Sequence, residues 1–581
     1  MRQHILLGIL SFFLFLAATV YLTFPLIFHF TNVASGEYVM AWIYNWNIHS
    51  LLTGNISHIF QGNIFYPYTN TIAYSDFLLP SSIFAIIPFL LFHEPMIPSN
   101  FTFFTSLLFL GFFTYILSYY LTKNFWASLF AGFLIIFSQQ TLDKRVHMQV
   151  LAVALIPIAI LFFLHFFKTK KLRFFAISLG LFIIQTYNNF MAGYFLIFSY
   201  IFLSIFLLWK NKKNQLLLFQ KKTLFVLILG IVTLVPLCIP YIEVSQQFHY
   251  VRDIRDAIHF AVQPEDLLVV SGYSRLFGIV TIFSDPTKYP PLAEIKSAFP
   301  GVIFSLLSLV IIGGMLRKIK NKLFLAFICV ALFGFILSFG PAMHLGRKTI
   351  HHPFLIPLPY AILYYVAPGF QAFRDSARFE MLFVISMPIA IALFLNDFLQ
   401  KKKKWIVVVL YLFLFFGTMW EFNFPMRFDP AKTFEQFPPV YQWIKNNTPA
   451  HAVIAEEPMY NWDNNPFGDN QEVTREYYAT VHFRNIIGGG SGFSPPAWQQ
   501  FAKHIFAHFP DTQTIAALQK LGVTYIVVHT KEYTILHDEH WVSYNSTPLT
   551  GDVVLQKLKQ FPQLQMIQKF GDDYVYKFVK K

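Results

Sequence analysis

Eleven long apolar runs dominate the chain, at roughly 5–27, 101–121, 125–140, 149–167, 174–188, 190–209, 223–243, 301–316, 323–340, 382–399 and 405–420. A helix needs about 20 apolar residues to cross the hydrocarbon core of a bilayer. With no water there, backbone donors and acceptors must be satisfied within each segment, which leaves helices as the outcome for runs of this kind. The remaining composition agrees: of 581 residues 55% are hydrophobic and 13% charged, and 71 are Phe, far from a soluble average. The sequence therefore predicts a polytopic α-helical membrane protein with about eleven spans. The first run is preceded by a single basic residue and followed by no small-residue cleavage site, so it reads as a retained span rather than a removed signal peptide.

The formal charge of +14 invites a nucleic-acid reading. Its densest runs, however, are short connectors: KTKKLR at 168–173, KNKKN at 210–214 with Lys221 and Lys222, RKIKNK at 317–322 and KKKK at 401–404. Lysine and arginine accumulate in cytoplasmic loops, so these runs report topology, and nucleic acid is excluded as a partner. With the N-terminus cytoplasmic, eleven spans put all four connectors inside. A twelfth span at 83–92, which carries Pro88, would put them all outside, so that piece reads as interfacial or re-entrant. The large external segments are then 28–100, 244–300 and 341–381, with everything after 421 outside as well. This divides the chain into a membrane domain, 1–422, and an extracytoplasmic α/β domain, 423–581. In the latter, TIAALQKLGVTYIVVH reads as a helix, a Gly stop and a buried strand, and VVLQKLKQF followed by DDYVYKFV repeats that pattern. Cys238 and Cys329, the two cysteines, both sit in apolar runs, so neither a disulfide framework nor a Cys-based zinc site is available.

Short external loops tend to exclude basic residues, so those present there need a local reason. Arg374 and Arg378 in FQAFRDSARFEM are four apart and would share one face of a helix entering the membrane. With Lys144, Arg145, Arg252, Arg255 and Arg275 they could line a cavity for a phosphate, which the guanidinium fork grips with paired hydrogen bonds. The competing reading pairs each with a nearby Asp143, Asp253, Asp256 or Asp375 to fold a loop. Glu37 lies about ten residues past the first run, beside Trp42, Tyr44, Trp46 and His49. A carboxylate there could take a proton from a hydroxyl, and the rings could meet a sugar. Asp76 returns near the same surface and could instead cap a helix. His147, Asn188 and Asn189 stand at span ends, where polar groups could meet a headgroup. His344, His351 and His352 match no strong ligand spacing, so no metal site is assigned. GGGSG at 488–492 lacks the strand-to-helix frame of a nucleotide loop and reads as a turn or lid.

Several stretches, in their order, resemble the GT-C class of integral membrane glycosyltransferases, in the poorly characterised prokaryotic branch with a trailing outer domain. They include GEYVMAWIYNWNIHSLLTGN, NIFYPYTNTIAYSDFLLP, RVHMQVLAVALIPIAILFF, LPYAILYYVAPGFQAFRDSARF and IIGGGSGFSPP. The resemblance implies transfer of a sugar from a polyprenyl-phosphate donor to a glycan, lipid or protein acceptor on the outer face, usually with inversion. It matches Glu37 to the first-loop catalytic acid, where the family usually has aspartate, and Arg374 and Arg378 to the basic end of the late external loop. No WWD triplet is present, which argues against the oligosaccharyltransferase branch. The set of candidates is then Glu37 and Asp76 as catalytic acids, with Arg145, His147, Asn188, Asn189, Arg374 and Arg378 on the donor. No cofactor is fixed, and a divalent cation is left open. Two other readings compete. A transporter or flippase would place ionisable groups at mid-membrane, where these runs have hardly any, and an envelope scaffold would bind through its outer domain alone.

Overall fold

The computed structural model describes residues 2–145, 147–276, 298–314, 321–345, 348–350, 356–461, 470–539 and 549–579. Residues 317–320 of the third basic connector, His351 and His352, and residues 277–297 of the expected loop lie outside them. The chain forms two compact units: residues 1–30, 100–236 and 251–428 in the first, and residues 31–99, 237–250 and 429–581 in the second.

The first unit is helical. Across the described residues, eight helices are long and apolar enough to cross a membrane: Gln3–Leu22, Ile97–Thr122, Phe125–Asp143, Met148–Thr169, Phe190–Leu208, Lys221–Phe248, Ser376–Leu399 and Lys404–Glu421. Three other expected runs form shorter apolar helices, Leu172–Asn188, Val302–Gly313 and Lys322–Ser338; a further short apolar helix, Leu79–Phe92, belongs to the second unit. Residues 380–393 are buried almost throughout, so the helix that carries them is the core of its unit. Other helices expose apolar faces: Leu224, Phe225, Ile228, Ile231 and Val232 all stand outside the packed interior. Leaving each such side chain in water forgoes about 1.5–3 kcal/mol of burial, which suits a lipid-facing surface.

Close helix approach is set by small residues. A methyl group added at Gly132 would collide with the Gly111 carbonyl and the Phe15 ring, whereas one added at Gly8 meets nothing within 4 Å. Gly132→Val is therefore expected to lower stability by about 1–3 kcal/mol through overpacking. Thermal unfolding in detergent would show this as a clear drop in midpoint, with Gly8→Ala close to wild type.

The second unit holds a five-stranded sheet. Its strands are β1 (Val453–Glu457), β2 (Asn485–Ile486), β3 (Tyr525–His529), β4 (Leu564–Phe570) and β5 (Asp573–Phe578), in the order β2-β1-β3-β5-β4. β1 pairs in parallel with β2 and β3, while β5 runs antiparallel to both β3 and β4. Every residue of β1 and β3 is buried, as parallel central strands require. Between them comes the expected helix and Gly stop: Thr512–Leu521, capped by Asp511 and closed by Gly522 at φ 89°. Val33–Ala34 also pairs with Asp429–Pro430, tying the start of the 31–99 segment to the C-terminal part.

The glycine run at 488–492 packs against residues 63–66. The Gly488 carbonyl accepts from the Phe65 N–H at 2.9 Å and the Ile486 carbonyl from Tyr66 at 3.0 Å. A Cβ at Gly490 would stand 2.7 Å from Val473, and one at Gly489 would stand 3.1 Å from the Phe65 ring. These glycines let segment 63–66 pack directly onto the α/β region.

Candidate functional site

In the second unit, Glu37 occupies the N-cap position of helix Tyr38–Leu52, with extended backbone at φ −66° and ψ 147°. Its side chain is exposed and does not cap the helix. The positive end of the helix favours an anion there. The aromatic cluster beside it is core rather than a platform for a sugar. Trp42 and Tyr44 are fully buried and Trp46 nearly so. The Trp42 Nε1–H donates to Asn63 Oδ1 at 2.9 Å and the Trp46 Nε1–H to the Ile59 carbonyl at 2.8 Å. His49 stacks on Phe483 with ring centroids 4.0 Å apart. Alternating burial is hard to see in a short, all-round apolar helix, and this one is covered on nearly every side.

Asp76 is half-buried and follows the 3-10 turn Thr71–Tyr74. The N-cap position of Leu79–Phe92 is Leu78. The neighbour of Asp76 is fixed: the Ser75 carbonyl accepts from the Tyr241 hydroxyl at 2.8 Å. Asn47 holds the start of the following helix through the Phe77 carbonyl at 2.7 Å and Ser82 Oγ at 3.0 Å.

In the first unit the basic candidates differ sharply from one another. Arg374 is exposed, with its guanidinium 4.8 Å from the centre of the Phe260 ring, and it meets no carboxylate among the described residues. Arg378 pairs with Asp375 at 3.2 Å. The two do not share a helical face. Asp375 caps a 3-10 turn at Ser376–Phe379, and the regular helix begins only at Glu380, so Arg374 lies outside it. Arg145 donates from Nε to the Tyr273 hydroxyl at 3.0 Å and lies over Phe428 at 5.2 Å. Arg255 pairs with Asp253 at 2.8 Å on the surface, and Arg275 donates to the Phe422 carbonyl at 3.2 Å. The loop-folding reading thus holds for Arg378 and Arg255.

Lys144 is also consumed. Its Nζ lies 2.7 Å from Glu380 Oε1, and Gln140 Nε2 donates to the other Glu380 oxygen at 3.2 Å. Burial opposes the charge on Lys144, but Glu380 and Asp375 outweigh it and raise its pKa. Asn189 caps the helix Phe190–Leu208 by accepting from Ala192 N–H at 3.1 Å and donates to the Gln149 carbonyl at 3.2 Å. Asn188 is buried at the end of Leu172–Asn188. His147 occupies the N-cap position of the short turn Met148–Leu151. The acids Glu37 and Asp76 therefore belong to one unit, and Arg145, His147, Asn188, Asn189, Arg374 and Arg378 to the other.

Sequence reasoning missed Glu380, hidden as the first residue of an apolar helix, and a buried ionic cluster around Arg475. The signal available for the latter was the pair Glu456 and Glu457 inside an otherwise apolar strand. Among the described residues, no group of three or more His, Cys, Asp or Glu side chains is arranged to hold a metal ion.

No family model matches the sequence, and no curated protein matches it. Among solved structures, the chain is similar to the crystal structure of an Archaeoglobus fulgidus oligosaccharyltransferase tethered through a disulfide bond to an acceptor peptide containing the NVT sequon. The identity is 12% and the TM-score 0.44, over 99% of this chain and 74% of that one. A likeness of that degree carries no argument about fold, donor or acceptor.

Proposed function

We propose that the chain is a membrane glycosyltransferase that moves a sugar from a polyprenyl-phosphate donor to an acceptor hydroxyl on the outer face. The observation that carries this reading is Arg374, an exposed guanidinium just ahead of an apolar helix and without an acid partner among the described residues. A fixed cation at that position suits an anionic lipid headgroup. In this account Arg374 holds the donor phosphate, with Arg145 and Arg378 nearby in sequence or in the same unit. Glu37 takes the acceptor proton while the acceptor oxygen bonds to the anomeric carbon. The bond from that carbon to the phosphate oxygen breaks, and polyprenyl phosphate leaves as a stable anion. Such a leaving group needs cations more than a general acid. The topology that accompanies the reading keeps the N-terminus cytoplasmic, the membrane domain at 1–422 and an extracytoplasmic domain at 423–581.

The test is transfer by purified protein given polyprenyl-phosphate sugars and a panel of acceptors. Arg374→Ala is expected to raise the donor KM by about 10–100-fold, the equivalent of about 1.5–3 kcal/mol for a charged hydrogen bond. Equal kinetics in the two proteins, or no transfer with any donor, would remove the reading.

A further inference from the structure

The carboxyl ends of parallel strands are where an open α/β sheet ordinarily offers a crevice to a ligand. Here that position is filled by the protein's own ionisable side chains. β1 ends on Glu456 and Glu457, and β3 ends on His529. Helix Asn470–Ala479 brings Glu472, Arg475 and Glu476 to the same cluster, and helix Thr530–Asp538 adds Glu532 and Tyr533.

Three of the acids are well satisfied. Arg475 donates to Glu472 at 2.9 Å, to Glu532 at 2.7 Å and to the Pro458 carbonyl at 2.9 Å. Glu456 accepts from the Tyr441 hydroxyl at 2.5 Å and meets His529 Nε2 at 3.2 Å, while His529 Nδ1 lies 2.8 Å from Asp573. The Tyr460 hydroxyl donates to Glu532 at 2.9 Å.

Glu457 and Glu476 are different. Both are fully buried. Glu457 accepts from the Met459 N–H at 3.1 Å with one oxygen, and Glu476 accepts from the Gly490 N–H with one oxygen. The second oxygen of each is buried with no hydrogen-bond partner among the described residues. Ionised, each would hold a bare charge away from water, which is costly; protonated, each is neutral. Burial, assisted by the neighbouring Glu472 charge and opposed by Arg475, pushes Glu457 up to about 8. Burial likewise pushes Glu472 up to about 7 against the pull of Arg475, and it raises Glu476 well above the ordinary carboxyl range. His482, the buried imidazole that follows this helix, is driven down to about 3 by burial and stays neutral.

We infer that Glu457 and Glu476, with Glu472 between them, form a proton-held latch: carrying protons they let helix Asn470–Ala479 close over the strand ends, and losing them opens it. The latch extends further, because Glu476 holds Gly490, while Gly488 of the same glycine run holds Phe65 and the preceding Ile486 holds Tyr66, in the segment that leads to Asp76. The inference does not depend on glycosyl transfer.

The sign follows from linkage. Acids whose folded-state pKa is raised contribute stability that is complete below their ordinary value of 4.5 and is lost as pH rises through about 7 for Glu472 and about 8 for Glu457. His529 acts in the same direction at higher pH. Burial disfavours its charge, but its bonds to Asp573 and Glu456 prevail and push it up to about 10.

Hydrogen exchange of the full-length protein in detergent, corrected for intrinsic exchange and followed from about pH 6 to about pH 9, tests the latch. Protection of residues 453–461, 470–479 and 486–492 is expected to fall about tenfold or more, since each pH unit is worth a factor of about ten per titrating group. Glu457→Gln and Glu476→Gln, which fix the neutral form, should each flatten that fall. A flat wild-type profile would overturn the inference, as would a fall left unchanged in both variants. If a variant fails to fold, the wild-type profile still decides: equal loss over Leu564–Phe578 would mean general alkaline unfolding and no latch.

Discussion

Glu37→Gln is expected to reduce turnover by about 10²–10⁴-fold, the usual contribution of a positioned general base, while leaving folding and donor KM close to wild type. The side chain is exposed, at the start of helix Tyr38–Leu52, and makes no cap bond to that helix. Its loss as a charge costs the helix only about 0.3–1 kcal/mol. Glutamine preserves shape and acceptor geometry but cannot take a proton. A fall in kcat at unchanged KM identifies an interaction made in the transition state alone. Asp76→Asn, measured beside it, assigns the base between the two acids: a large loss at position 76 with none at position 37 would transfer the role to Asp76.

Arg475→Met is expected to be the most damaging single change in the α/β region. The guanidinium is 2% exposed and neutralises Glu472 and Glu532 at 2.9 and 2.7 Å, with Glu456 at 3.8 Å. Removing it strands buried carboxylates, and breaking a buried ion pair from one side typically costs about 3–5 kcal/mol. That is comparable with the whole stability of a small domain. Limited proteolysis of the full-length protein should then cut within residues 429–579 under conditions where wild type is resistant. The loss should be smaller at low pH, where Glu472 and Glu457 can take up protons in compensation. Wild-type resistance in the variant would mean that the cluster is not what holds this region together.

Most of the helices were legible because their signal is long and redundant. Runs such as 101–121 and 223–243 need no side-chain detail to be read as helices. The alternation of helix, Gly and buried strand around Gly522 was equally clear, since a capping Asp, a left-handed Gly and a run of β-branched residues all point the same way. The site was much less legible. Trp42 and Trp46 look like interfacial rings in sequence, yet their indole N–H groups find Asn63 and the Ile59 carbonyl, partners that only the folded chain supplies. The spacing of Arg374 and Arg378 implies a shared helical face, but Asp375 caps a local turn and delays the helix until Glu380. Lys144 resembled a phosphate ligand until its partner Glu380, 236 positions away, proved to be within 2.7 Å. Long-range ion pairing decides which cations remain available, and no local pattern encodes it.

The most direct test is a cryo-electron microscopy structure with a non-transferable polyprenyl phosphonate sugar bound in lipid. It is expected to show the phosphonate against the Arg374 guanidinium, with the sugar on the side opposite the lysine-rich connectors. A donor bound away from Arg374, or on the same side as those connectors, would contradict the account.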